Sequence, residues 1–206
     1  IAKPFNVSFG CDPGSNIKIT RIPDYLFYNC SINKLLISKE ITTIGISSFS
    51  YCKINELIFE KNSKLTEICN EAFYNVLFTK EFQLPDSLIK IGNGTFYSCK
   101  SLTSIVLPSN ITLIGDNCFS LCTFLKSINI PEKVTIIGNG TFASCESLSS
   151  IIIPRSVISI GNFSFYSCSS LTSLIIPDSV TSIGDKSFEN CTLLRSIILS
   201  NNIKVI

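Results

Sequence analysis

The stretch Leu171-Thr-Ser-Leu174-Ile-Ile176-Pro177-Asp-Ser-Val180-Thr-Ser-Ile183-Gly184-Asp-Lys-Ser187-Phe188-Glu-Asn-Cys191 decides the fold, because the chain repeats its pattern many times. A phenylalanine with a cysteine three positions later returns every 23 residues, at Phe96 and Cys99, Phe119 and Cys122, Phe142 and Cys145, Phe165 and Cys168, and Phe188 and Cys191. A fixed period of this length indicates one small unit stacked repeatedly, with each copy burying its apolar face against its neighbours. The sequence therefore predicts a repeat solenoid.

Three earlier copies extend the repeat towards the N-terminus, at Phe27 to Cys30, Phe49 to Cys52 and Phe73 to Val76. Val76 replaces the cysteine, which indicates that the position requires a small apolar side chain rather than a thiol. We expect an array over residues 17–206 with about eight repeats, the last of them incomplete. Residues 1–16 lack the repeat signature and predict an N-terminal cap over the first coil.

Each copy contains two short extended pieces. Leu171, Leu174 and Ile176 alternate and stop at Pro177, as in a strand with one buried face, and a second piece ends at Gly184. The residue after the glycine is Asn93, Asp116, Asn139, Asn162 or Asp185 in successive copies, which suits the N-cap of a helical turn. The solenoid is thus predicted to be mainly β, with short helical or 3-10 turns.

The pattern resembles a known repeat class. Leucine, two variable residues, isoleucine, one variable residue, leucine or isoleucine, proline, then Ile-Gly and a small residue before Phe-x-x-Cys is similar to the BspA-like leucine-rich repeats. Departures occur at Ile68-Cys69, in place of Ile-Gly, and at Thr79, in place of the opening leucine. The resemblance implies a right-handed, curved leucine-rich-repeat array with a parallel sheet on the concave face. It also implies a secreted or cell-surface protein associated with adhesion, and hence an extracellular or cell-surface location.

Composition argues against several functions. The formal net charge is +2 and the basic residues are scattered singly, whereas nucleic-acid binding requires a basic stripe. No apolar run approaches the roughly 20 residues of a membrane-spanning helix. The chain has no histidine, and hence no histidine-dependent triad or metal centre, and the repeats lack paired carboxylates. We therefore expect neither an enzyme nor a bound cofactor or metal.

The ten cysteines leave two interpretations open. An even count in an extracellular protein is compatible with disulfides, but equivalent positions in stacked coils point the same way instead of converging. The favoured prediction is a column of buried thiols at Cys30, Cys52, Cys99, Cys122, Cys145, Cys168 and Cys191. A disulfide between Cys11 and Cys30 in the cap is the alternative for that pair. Cys118 and Cys122 are four apart, but a zinc site is not expected without histidine or a second close pair.

Seven Asn-x-Ser/Thr sequences are candidate acceptors of N-linked glycans, at Asn6, Asn29, Asn93, Asn110, Asn139, Asn162 and Asn190. Asn93, Asn139 and Asn162 share one repeat position, where capping alone would also explain an asparagine. Capping does not explain the hydroxyl residue two positions later. If the chain enters a secretory pathway, these sites would carry glycans along one ridge of the solenoid.

The outward positions of the first strand form the candidate partner-binding surface. It comprises Ser104, Val106, Lys126, Asn129, Ser150, Ile152, Ser173, Ile175, Arg195 and Ile198. Exposed contiguous apolar surface often marks an interaction site, although isoleucine and valine also simply suit strands. The first hypothesis is a recognition or adhesion module that binds a protein partner through the concave sheet face. The alternative is a structural protein that self-assembles into a glycosylated extracellular filament or coat.

Overall fold

The computed structural model describes residues 5–9 and 19–204. They form a parallel β-solenoid of about eight turns. Most turns of the solenoid contribute two short strands and a connecting segment that contains the Phe-x-x-Cys sequence, which we call the back turn. Each strand pairs in parallel with an equivalent strand in an adjacent coil, so the predicted repeat solenoid is confirmed.

The first-strand series comes from the leucine-rich part of each repeat. Its members are β1 (Phe5–Phe9), β3 (Ser31–Ile37), β5 (Lys53–Phe59), β7 (Leu77–Phe78), β9 (Ser104–Ile105), β11 (Ser127–Ile128), β14 (Ser173–Ile175) and β16 (Ser196–Ile198). Hydrogen bonding joins them in three pieces, in the order β1-β3-β5-β7, then β9 with β11, then β14 with β16. Within the described part of the chain, residues 150–153 form no strand, so the sheet is interrupted between β11 and β14.

The second-strand series precedes the position that is glycine in most copies, and it is less interrupted. Its members are β2 (Arg21–Ile22), β4 (Thr43–Ile44), β6 (Glu67–Ile68), β8 (Lys90–Ile91), β10 (Leu113–Ile114), β12 (Ile136–Ile137), β13 (Ser159–Ile160) and β15 (Ser182–Ile183). They form a five-stranded and a three-stranded sheet. The isoleucine that ends each strand is buried, which places one side of both strand series on a common core.

The back turn differs from the sequence prediction, because no helix occurs among the described residues. Phe163 and Ser167 both have a φ of 56°, and left-handed residues at this spacing prevent a helix from continuing. Their N–H groups donate to carbonyls of the next coil, Phe163 to Asp185 at 2.9 Å and Ser167 to Glu189 at 2.8 Å. The predicted helical turns are therefore wrong in detail. These segments are turns whose alternate N–H groups are used between coils rather than within one.

A column of phenylalanines fills the core behind the two strands. The rings of Phe49, Phe73, Phe96, Phe119, Phe142 and Phe165 are fully buried. Each stacks on its neighbour, as Phe96 and Phe119 do with centroids 5.4 Å apart and planes 7° from parallel. In the coil where Thr79 takes the opening leucine position, Phe78 is buried one residue earlier. The repeat tolerates this shift because an apolar ring still fills the core.

The predicted N-terminal cap falls only partly within the described residues. Strand β1 pairs with β3, and Val7 lies beside Leu35 in that register. Residues 1–4 and 10–18 lie outside the described part of the chain, and Cys11 is among them. The extent of the cap and the Cys11–Cys30 disulfide therefore remain predictions.

Candidate recognition surface

The candidate partner-binding residues all lie on the solvent side of the first-strand series. All ten side chains are exposed. Ile152 is 84% exposed, Val106 75%, Ile175 64% and Ile198 58%. We call the surface formed by these ten residues the strip.

Strand register aligns the strip into columns. Ser104 lies beside Ser127, and Ile175 beside Ile198, because the parallel pairing is in register. The alternating partners of these residues, such as Leu174 and Ile105, are buried. Serine hydroxyls and aliphatic side chains therefore form parallel columns on a backbone that the core holds in place.

Asn129 interrupts the aliphatic column and has a structural contact of its own. Its side-chain Nδ2 donates to the carbonyl oxygen of Leu107 at 2.8 Å, and its Oδ1 accepts the N–H of Leu107 at 2.8 Å. The amide thus bridges two coils beside the prolines that end the strands, Pro108 and Pro131. Asn129 is exposed, but its role in holding the coils together was not apparent from the sequence.

Charge is distributed unevenly along the first-strand face. In the early coils Glu56 lies 3.9 Å from the ammonium of Lys34 and 3.4 Å from that of Lys80, so these charges offset one another. In the later coils Lys126 and Arg195 are exposed, and neither forms an ion pair with another described residue. The strip therefore combines aliphatic and hydroxyl columns with two exposed cations.

The asparagines after the glycine form a ladder between coils. Oδ1 of Asn139 accepts the N–H of Asn162 at 2.9 Å, and Oδ1 of Asn162 accepts the N–H of Asp185 at 2.8 Å. Oδ1 of Asp116 likewise accepts the N–H of Asn139 at 2.8 Å. These residues satisfy backbone donors as a cap would, but the donor belongs to the next coil.

The hydroxyl residues of the Asn93, Asn139 and Asn162 sequons also have structural roles. Thr141 donates to the carbonyl oxygen of Gly138 at 3.0 Å, and Thr95 to that of Gly92 at 2.8 Å. Ser164 donates to the Gly138 carbonyl of the preceding coil at 3.0 Å. All three hydroxyl side chains are buried. The fold thus accounts for both residues of the Asn-x-Ser/Thr pattern at this repeat position.

Each of the seven sequon asparagines has an exposed side chain, at Asn6, Asn29, Asn93, Asn110, Asn139, Asn162 and Asn190. Glycosylation would attach through Nδ2, and the Oδ1 atoms that Asn93, Asn139 and Asn162 use in the ladder would remain available as acceptors. The ladder and a glycan are therefore compatible at the same residue.

The cysteine column is confirmed as buried from Cys52 onwards, while Cys30 is half-buried. Each of these buried thiols lies within hydrogen-bonding distance of a phenylalanine carbonyl in the preceding coil, as Cys122 does with Phe96 at 3.1 Å. Burial raises the pKa of the Cys122 thiol to about 12, so it stays protonated and can donate. The repeat pattern of the sequence predicts the burial of these cysteines, whereas the hydrogen bond depends on the spacing between coils.

Two cysteines occupy other repeat positions. Cys118 is buried at the repeat position that Thr95 and Thr141 occupy in the adjacent coils, so a thiol replaces a buried hydroxyl there. Cys69 stands at the glycine position, and the guanidinium of Arg21 lies 3.8 Å from its sulfur. Within residues 5–9 and 19–204, no group of three or more potential metal-binding side chains is close enough to hold an ion.

The fold and its surface define a leucine-rich-repeat β-solenoid. The family model for the BspA type leucine rich repeat region matches residues 20–136 and 112–206, as six copies. The chain belongs to this family. No curated protein shows significant sequence similarity to it. Among the described residues, no helix is long and apolar enough to cross a membrane.

Solved structures of bacterial repeat proteins are similar. A leucine-rich repeat protein from Eubacterium ventriosum superposes with a TM-score of 0.61 and 23% identity, over 90% of this chain and 58% of that one. The leucine rich repeat protein of T. pallidum gives a TM-score of 0.60 and 26% identity, over 85% and 72%. The pneumococcal vaccine antigen PcpA gives 0.54 and 22%, over 97% and 68%. This chain thus spans under two thirds of the Eubacterium protein's length, and the likeness supports the fold.

Proposed function

We propose that the chain is a non-enzymatic recognition or adhesion module that binds a protein partner through the strip at a cell surface or outside the cell. The observation that carries the proposal is the exposed aliphatic column, in which Ile152, Ile175 and Ile198 stand in successive coils and Val106 lies beyond Asn129. Contiguous apolar surface on a folded protein costs solubility, so it commonly marks a site that a partner covers.

The surroundings of this column support the same proposal. Serine hydroxyls beside it supply hydrogen-bond donors and acceptors, and Lys126 and Arg195 supply charge at two separated points. Protein interfaces combine a desolvated apolar centre with such polar groups at the rim. Family membership and the description of PcpA as a vaccine antigen are consistent with an extracellular location, which is also part of the proposal.

The test is binding of the full chain to an array of extracellular proteins. Introducing Ile152→Glu and Ile175→Glu together places two carboxylates in the aliphatic column and should abolish binding to any partner found. The matched control is Ile136→Glu with Ile158→Glu, since these isoleucines are 55% and 51% exposed on the second-strand face. Loss of binding in both double variants, or in neither, would count against the strip.

A second candidate is a structural protein that self-assembles into a glycosylated coat or filament. Leu113, Ile136 and Ile158 give the second-strand face an exposed apolar patch of its own, so two faces are available for side-by-side contact. Electron microscopy of native material would show polymers, and the Ile136→Glu variant should fail to form them. A monomer whose mass is independent of concentration would exclude this candidate. A decrease in the intact mass on glycosidase treatment would show that the chain carries N-linked glycans.

A further inference from the structure

Four tyrosines form a continuous row along the back of the early coils. The ring centroids of Tyr28 and Tyr51 are 5.3 Å apart, those of Tyr51 and Tyr74 are 5.3 Å apart, and those of Tyr74 and Tyr97 are 4.8 Å apart. The last pair is stacked with an interplanar angle of 5°. Tyr28 and Tyr51 are exposed, and Tyr74 and Tyr97 are half-buried.

The repeat itself creates this row. Tyr28, Tyr74 and Tyr97 each follow the phenylalanine of the repeat, and therefore stand at equivalent places in their coils. Tyr51 comes one residue later, where a φ of 62° turns the chain, and its ring still packs between Tyr28 and Tyr74. The row ends at Tyr97, because the next coil has Ser120 at the equivalent place.

We propose that this tyrosine row is a site of oxidative modification, at which a peroxidase with hydrogen peroxide joins neighbouring coils through dityrosine bonds. The spacing of the coils holds two phenol rings side by side before the reaction begins. Coupling is therefore intramolecular and avoids the entropy cost of bringing two exposed tyrosines together from solution. The product is a covalent staple between coils.

The reaction balances with one peroxide for each bond. Each of two tyrosines loses one electron and one proton to become a phenoxyl radical. The radicals couple through a new bond between ring carbons ortho to the hydroxyl, and each of those carbons then loses its hydrogen to the phenolic oxygen. The two electrons and two protons reduce one hydrogen peroxide to two molecules of water.

A later coil provides an internal comparison. Tyr166 also follows a buried phenylalanine, Phe165, but the equivalent residues of the adjacent coils are Ala143 and Glu189. Its ring meets Phe163 edge-on at 5.9 Å, and its hydroxyl accepts a hydrogen bond from Asn190 at 3.1 Å. Tyr166 thus has a similar local setting without a tyrosine neighbour in the adjacent coils.

The experiment treats the dilute full chain with a haem peroxidase and limiting hydrogen peroxide. Dityrosine is measured by its fluorescence and by peptide mapping of the monomer band. Four tyrosines in one row form at most two bonds, and we expect Tyr28–Tyr51 and Tyr74–Tyr97 as the main products. The double variant Tyr51→Phe with Tyr97→Phe keeps the ring packing but removes every adjacent tyrosine pair within the row, so the yield of dityrosine from the row should fall at least tenfold.

Tyr166→Phe is the control and should leave the yield within the monomer unchanged. Circular dichroism should show that the variants remain folded, since phenylalanine preserves the ring. A wild-type yield in the Tyr51→Phe, Tyr97→Phe variant would overturn the proposal. So would dityrosine that appears only between molecules while the monomer band contains none.

Discussion

The thiol of Cys145 lies 3.2 Å from the carbonyl oxygen of Phe119 in the preceding coil, in position to donate a hydrogen bond. The same contact recurs along the column, for example from Cys168 to Phe142 at 3.2 Å. The carbonyl of Phe119 also accepts the N–H of Cys122 at 3.2 Å. Cysteine therefore joins adjacent coils with a donor small enough for a full core.

Removing one thiol tests this contact. Cys145→Ala should lower the free energy of unfolding by about 1–3 kcal/mol, because it removes a buried hydrogen bond and leaves a small void. Urea denaturation followed by circular dichroism measures the change. The complementary variant is Val76→Cys, in the one copy that lacks the thiol, and it should be neutral or stabilising by about 1 kcal/mol. A destabilised Val76→Cys would show that the thiol contributes only volume.

Alkaline pH should destabilise the fold through the buried thiols. Burial raises the pKa of Cys52 and of Cys122 to about 12, whereas an exposed thiol titrates near 8.5. Above the unfolded pKa only the unfolded chain loses these protons, so stability is full below about pH 8.5 and falls as pH rises towards 12. Each such thiol contributes a slope of about 1.4 kcal/mol per pH unit.

Urea denaturation between pH 7 and pH 11 checks this slope. Cys122→Ala is the control, since it differs from the wild type only in this thiol. The slope of its unfolding free energy against pH should be shallower by the contribution of one thiol, about 1.4 kcal/mol per pH unit. Identical slopes would contradict a buried, protonated Cys122.

The asparagine ladder separates structure from glycosylation. Asn139→Asp keeps an oxygen acceptor for the N–H of Asn162, as Asp116 provides one for Asn139. It also places a second carboxylate beside Oδ2 of Asp116, which lies 3.3 Å from Nδ2 of Asn139. At high salt, which screens the two carboxylates, it should therefore lose less stability than Asn139→Ala. Asn139→Ala removes the acceptor and should cost about 1 kcal/mol of stability. Both variants remove the sequon. If both lose the same stability in unglycosylated protein, the side-chain oxygen has no role in stacking.

Glycine at the end of the second strand should be required for close stacking. A Cβ on Gly161 would lie 2.8 Å from the backbone nitrogen of Asn139, which is closer than nonbonded atoms approach. Gly161→Ala should therefore destabilise the protein by about 1–3 kcal/mol in urea denaturation. Gly94→Asn is the comparison, because its φ of 59° suits asparagine and Asn117 fills the equivalent place in the next coil. Equal losses would contradict a steric role for Gly161.

The sequence predicted the coil period, the buried phenylalanine and cysteine columns and the outward placement of the strip, because burial alone imposes a regular spacing of apolar residues. The back turn was mispredicted for a physical reason. Asparagine after glycine satisfies an unpaired N–H equally well as a helix cap or as a ladder to the next coil, and only the positive φ values of residues such as Phe163 distinguish the two. The bridge from Asn129 to Leu107 depends on the spacing between coils, which no single repeat encodes.

Photo-crosslinking from single positions tests most directly whether the strip is the recognition surface. A photoactivatable phenylalanine analogue replaces Ile152 in one protein and Ile158 in another, and each is irradiated with a partner identified on the array. We expect position 152 to be joined to the partner and position 158 to remain unmodified. A partner that crosslinks to position 158 and leaves position 152 unmodified would contradict this expectation.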